Sequence, residues 1–103
     1  MGLNEIRVGD EGTVFVGTIN DENGIVDVSL ANVKQIILLR PDGTYIEEDA
    51  DLFTDGTDGV LVYVVKSGDI NMCGKWRIQW KVGFNNGSWK TDIKTFKVYD
   101  NLT

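Results

Sequence analysis

The stretch that decides the fold is Gly74-Lys75-Trp76-Arg77-Ile78-Gln79-Trp80-Lys81-Val82-Gly83-Phe84, followed by Asn85-Asn86-Gly87 and then Ser88-Trp89-Lys90-Thr91-Asp92-Ile93-Lys94-Thr95-Phe96-Lys97-Val98-Tyr99. In its first half, Trp76, Ile78, Trp80, Val82 and Phe84 share one parity, and Lys75, Arg77, Gln79 and Lys81 share the other. Successive side chains of a strand point to opposite faces, so this segment has one apolar and one wet face. Asn-Gly supplies the turn chemistry that folds it back on itself. In the return strand the parity changes: Trp89, Thr91 and Ile93 are in phase, but Phe96 and Val98 are not. A strand cannot change faces without an extra residue, which predicts a β-bulge near Lys94-Thr95.

Working outward, the same logic assigns the rest of the chain. Thr13–Ile19 is β-branched and aromatic and reads as the first strand, with Gly17 marking a bulge or a close approach by a neighbour. Asn20-Asp21-Glu22-Asn23-Gly24 is a turn, and Ile25–Ser29 a short edge strand. Val33–Leu39 is almost continuously apolar. It reads as a central strand and not a helix, because Arg40-Pro41-Asp42-Gly43-Thr44 ends it with strong turn chemistry. Tyr45–Glu48 returns as the hairpin partner. Val60–Val65 is a second central strand, and Ser67–Met72 has the look of one helical turn capped by Ser67 and closed by Gly74. Short strands at this spacing, with glycine-rich turns, give an all-β fold, a β-sandwich over residues 13–100. Residues 1–12 read as an N-terminal arm, either a frayed terminus or a segment that orders against a partner, with its apolar points Leu3, Ile6 and Val8 as candidate interface residues.

Composition narrows the chemistry. The chain of 103 residues suits one domain with one core. Sixteen acids against ten bases give a formal net charge of −6, which repels phosphate backbones and anionic membranes, so neither nucleic acid nor membrane is expected as a partner. No apolar run approaches the roughly 20 residues a helix needs to span a bilayer. Met1–Arg7 lacks a signal-peptide pattern, so synthesis in a cytoplasm is expected, and the acceptor patterns at Asn86-Gly87-Ser88 and Asn101-Leu102-Thr103 are read as chance. There is no histidine, which removes histidine-based triads and zinc sites. Cys73 is the sole cysteine and is expected to be a small buried residue.

Three features invite a functional reading. The acids Glu47, Glu48, Asp49, Asp51, Asp55 and Asp58 are calcium-type donors, but their spacing does not match a calcium loop, and turn formation accounts for them. No metal and no cofactor is expected. Of the three tryptophans, Trp76 and Trp80 read as core, and Trp89, beside the turn, as the interface anchor, with Asn86 as its neighbour. The wet face of the ribbon gathers Lys75, Arg77, Lys81, Lys90, Lys94 and Lys97, whereas the acids concentrate earlier, so the surface is dipolar.

The order of these segments resembles the immunoglobulin-like N-terminal module of phage baseplate upper proteins and related modules in other virion proteins. The resemblance is carried by Val8-Gly9-Asp10-Glu11-Gly12-Thr13, Asp21-Glu22-Asn23-Gly24, Arg40-Pro41-Asp42-Gly43-Thr44, Asp55-Gly56-Thr57-Asp58-Gly59-Val60, Gly68-Asp69-Ile70, Gly74-Lys75-Trp76 and Lys94–Val98. It implies an immunoglobulin-like β-sandwich of about seven antiparallel strands, and a non-enzymatic structural protein of the virion that docks onto other virion proteins in symmetric multicopy assemblies. The sequence closes at Thr103 without a coiled coil or receptor-binding region, which points to a small component of the tail or baseplate, or to a capsid decoration or auxiliary head protein. A carbohydrate-binding module for host-surface glycans is the alternative, with Trp89 or Tyr45 as its platform.

Overall fold

The computed structural model describes residues 5–101. It is all-β, with strands β1 (Ile6–Arg7), β2 (Val14–Thr18), β3 (Asn20–Asp21), β4 (Gly24–Ile25), β5 (Val33–Leu39), β6 (Tyr45–Asp49), β7 (Asp51–Leu52), β8 (Val60–Val64), β9 (Gly74–Phe84), β10 (Gly87–Lys90) and β11 (Lys94–Tyr99). The larger sheet runs β1-β11-β9-β5-β6, with β10 also on β9; the smaller runs β2-β8-β7; β3 and β4 form a separate hairpin.

Parity sets which residues face inward. Trp76, Trp80 and Val82 of β9 lie on the same face as Ile36 and Leu38 of β5, because Ile36 pairs with Trp80 and Leu38 with Ile78. From the smaller sheet, Leu61 and Tyr63 turn to meet them, and all seven are buried in one apolar cluster. Phe15 of β2 and Phe96 of β11 close the gap between the sheets, their rings 5.2 Å apart. Gly17 shows why a side chain is missing there: a Cβ would stand 2.3 Å from Nε1 of Trp80, so the indole lies directly on the β2 backbone.

The change of phase in the return strand is a bulge. Lys90 pairs with Lys81 and Lys94 with Ile78, so Thr91-Asp92-Ile93 oppose only Gln79-Trp80. The extra residue sits slightly earlier than Lys94-Thr95 because Thr91 fastens it there. Its N–H donates to the Trp80 carbonyl at 2.9 Å, and its hydroxyl accepts from the Trp80 N–H at 2.9 Å. After the bulge Phe96 and Val98 face the core, opposite Trp76 and Gly74.

Several expectations are corrected. Pairing begins before Thr13: Ile6–Arg7 run parallel to β11, opposite Val98 and Tyr99, so the strands are not all antiparallel. Alternation explains this, since Ile6 and Val8 pack against the core while Arg7 turns outward to donate to the Asp100 carbonyl. Ser67–Met72 is not a helical turn; no helix occurs among the described residues. Gly68, at φ +87°, turns the chain, and Asp69 folds back as an acceptor for the Lys66 N–H, which fixes a tight turn instead. Of Ile25–Ser29, only Ile25 is in a strand. Cys73 is exposed, because it lies on the parity of Lys75, opposite to that of the buried Trp76.

Candidate functional site

Two places on the surface combine concavity or apolar exposure with polar groups. The first is a groove of about 440 Å³ at one end of the sandwich, between the β3–β4 hairpin and the β9–β10 turn. Trp89 pairs with Val82 and so has the parity of the core. Yet it is 53 % exposed, standing edge-on to Phe84 with ring centroids 5.8 Å apart. Ile19, Val26 and Val82 form the apolar floor, and Asn86, Asp21, Asp27 and Lys90 supply polar groups at the rim. The turn is held by Asn32, whose Nδ2 donates to Oδ1 of Asn85 at 2.6 Å. Asp27 is kept below the usual carboxylate range by the Ser29 hydroxyl and N–H, which both donate to it, so it presents a charged oxygen at neutral pH.

The second is the smaller sheet's outer face. Val14 pairs with Val64 and Val16 with Val62 across β2 and β8. Val14, Val16 and Val64 are 52, 56 and 51 % exposed, and Val60 and Val62 are half-buried beside them. A solvent face of this kind ordinarily alternates with polar residues; here both faces of the strands are apolar. Strand β2 is also the edge of its sheet. Beside that edge runs a cleft of about 590 Å³, with Phe15 and Trp80 at its base and Lys90 and Lys94 on the opposite wall.

The residues singled out by sequence fall in different places. Asn86 and Trp89 meet at the groove. Ile6 and Val8 are half-buried against the core and so serve the fold, and Leu3 lies outside the described residues. Trp76 and Trp80 are core, as their parity indicates. The bases of the ribbon share the outer face of the larger sheet in part: Lys81 pairs with Lys90, and Lys75 with Lys97, while Glu47 and Asp49 project from the same face at its β6 edge. The acids do not converge. Asp55 accepts from the Thr57 N–H and hydroxyl, Asp58 from the Thr54 hydroxyl and the Val60 N–H, and Glu48 pairs with Lys66 at 3.5 Å. Among the described residues no three metal-ligating side chains gather, and none of the helix-free fold supplies a membrane-crossing helix.

The valine face is the surface that sequence reasoning missed. The signal was present in Val14-x-Val16 and Val60-x-Val62-x-Val64, apolar on the parity opposite to Phe15, Leu61 and Tyr63. An apolar run with both parities filled reads naturally as a strand covered on both sides, and only the three-dimensional arrangement shows one side uncovered.

No known protein family matches this chain, and no curated protein matches it either.

Proposed function

We propose that this chain is a non-enzymatic, immunoglobulin-like docking module of a phage virion, held on a tail, baseplate or capsid protein through the valine face of its smaller sheet. The observation that carries this is the set Val14, Val16 and Val64, each half-exposed on one sheet face beside an open edge. Contiguous apolar surface of this sort marks sites of protein association, because covering it removes apolar area from water. The immunoglobulin-like assignment is supported by the three-stranded β2-β8-β7 sheet facing a β6-β5-β9-β11 sheet, with β1 crossing to pair beside β11. Repetition over symmetric copies would multiply a modest single contact through effective concentration.

The test exchanges the apolar face without removing the sheet. Val14→Lys with Val64→Glu places opposite charges across one cross-strand pair, so the pairing persists while the face becomes polar. Quantitative mass spectrometry of purified virions is expected to show the parent protein at a fixed ratio to the major capsid protein and the double variant reduced about tenfold or more. Hundreds of parent copies would indicate a shell subunit, and a few to a dozen a tail component. Undiminished incorporation of the variant, or absence of the parent from virions, would overturn the proposal.

One observation favours a second reading. The half-exposed Trp89 beside Asn86, Asp21 and Asp27 presents an aromatic face with flanking hydrogen-bonding groups, the combination that suits the C–H face and hydroxyls of a sugar. Under this reading Trp89→Ala abolishes retention on immobilised host-surface glycans and leaves thermal stability within about 1 kcal/mol of the parent. Retention that survives the substitution excludes the groove.

A further inference from the structure

The backbone of β2 says more about the partner than the valines do. Ile19 donates to the Gly59 carbonyl at 2.7 Å and Val65 donates to the Thr13 carbonyl at 2.8 Å. In an antiparallel pair the residues that exchange hydrogen bonds alternate with those that do not. The odd-numbered residues of β2 therefore bond to β8. The N–H and C=O groups of Val14, Val16 and Thr18 point the other way, along the edge, where no described residue pairs with them. Natural edge strands are usually blunted by a charge, a proline or a bulge. Val14-Phe15-Val16-Gly17-Thr18 has none of these and keeps an unbroken five-residue register with β8.

We propose that this edge accepts an extended segment of another protein as an added β-strand, and that the segment alternates β-branched apolar residues with acidic ones. The inference rests on the docking reading above and gives it a partner chemistry. A row of unpaired peptide groups at strand spacing is matched only by another extended backbone. Side chains on one face of the added strand would extend the valine face. Those on the other would enter the cleft, where Lys90 and Lys94 line the wall against a single acid, Asp92. Neither lysine has an ion-pair partner among the described residues. The Trp80 indole lies in the same cleft, and its N–H has no acceptor among the described residues. Carboxylates entering the cleft would meet Lys94, whose partner Ile78 has the inward parity, and the indole N–H, with Lys90 lining the same cleft. A second copy of this chain fits less well: β2 has no acid to offer those lysines, and pairing two β2 edges brings two lysine walls and two bodies of net charge −6 together.

The test uses the whole chain, labelled with ¹⁵N, and two synthetic peptides, one alternating valine with glutamate and one alternating valine with lysine. The glutamate peptide is expected to slow exchange of the Val14, Val16 and Thr18 amides and to leave the already bonded Phe15 and Gly17 amides unchanged. The lysine peptide is expected to bind about tenfold more weakly, and added salt to narrow that gap. Val16→Pro removes an N–H that faces solvent, a position where an edge strand tolerates proline. It is expected to abolish the protection while the amide spectrum of β9 stays native. Absence of protection with the glutamate peptide, equal binding of both peptides, or unaltered binding by Val16→Pro would each overturn strand addition, as would sedimentation showing a dimer that Val16→Pro dissolves. Virions separate the two levels. If Val16→Pro incorporates normally while Val14→Lys/Val64→Glu does not, the docking face stands and strand addition falls; if both incorporate normally, both fall.

Discussion

Replacing Trp76 by alanine is expected to lower the unfolding free energy by about 3–5 kcal/mol, the range for truncating a buried aromatic side chain. The indole is wholly inaccessible to solvent. It lies 5.9 Å from the Phe96 ring and has the Arg40 guanidinium 5.7 Å above it, and its Nε1 donates to the Met72 carbonyl at 3.1 Å. That position joins β9 to β11 and to the turn that leads into β9. Domains of this size are stable by about 5–15 kcal/mol, so the loss approaches the whole for a marginal chain. In melting temperature it corresponds to a drop on the order of 15–25 °C. Trp76→Phe is expected to cost about 1–2 kcal/mol, since a ring remains against Phe96 and mainly the bond to Met72 is lost. Denaturant titrations followed by circular dichroism measure both. A Trp76→Ala variant within about 1 kcal/mol of the parent would mean the core is not organised around this residue.

The second large effect is at Tyr63 and Asp69, and it depends on pH. Tyr63 is buried, and its hydroxyl donates to Oδ2 of Asp69, which also accepts the Lys66 N–H at 2.9 Å. This pair pins the turn after β8 to the strand that precedes it. Tyr63→Phe removes one donor from a buried carboxylate and is expected to cost about 1–3 kcal/mol near neutral pH. Burial pushes the Tyr63 hydroxyl well above its ordinary value, and the hydrogen bond to the Asp69 carboxylate raises it further. The folded chain thus keeps a proton that the unfolded chain releases above pH about 10. Where the native state binds more protons, stability falls as pH rises. The contribution is therefore complete below pH about 10 and drains above it, while Tyr63→Phe has no such proton to lose. The stability gap between parent and variant should be full at neutral pH and narrow in strongly alkaline buffer. A gap that stays constant across that range would show that the Tyr63 proton is not coupled to folding.

Much of the fold was legible because local rules and tertiary packing agree. The alternation of Trp76, Ile78, Trp80 and Val82 fixed the inward face of β9, and the phase change between Ile93 and Phe96 required an inserted residue. The position of that insertion was less legible, because it depends on where Thr91 finds the backbone of Trp80, a contact between residues on neighbouring strands. Ser67–Met72 misled for a related reason. Its capping pattern is helical, but Asp69 accepts from Tyr63 and Lys66 instead, and a buried acceptor outweighs a weak local propensity. Ile6 and Val8 looked like an unattached arm because so short a strand has too few residues to show a period; parallel pairing with Val98 and Tyr99 supplies what local sequence lacks.

The site divides along the same line. Trp89 and Asn86 were marked by their place beside an Asn-Gly turn, and they do meet at a groove. Alternation, turn chemistry and the absence of histidine are properties of the chain, and they determined the longer strands, their inward faces and the exclusion of histidine-based chemistry. Which strand stands at an edge, and which apolar face is left without a cover, are decided only when the sheets are assembled. Parity distinguishes one side of a strand from the other but not what, if anything, is packed against it, and so Val14, Val16 and Val64 became a surface only in the folded protein.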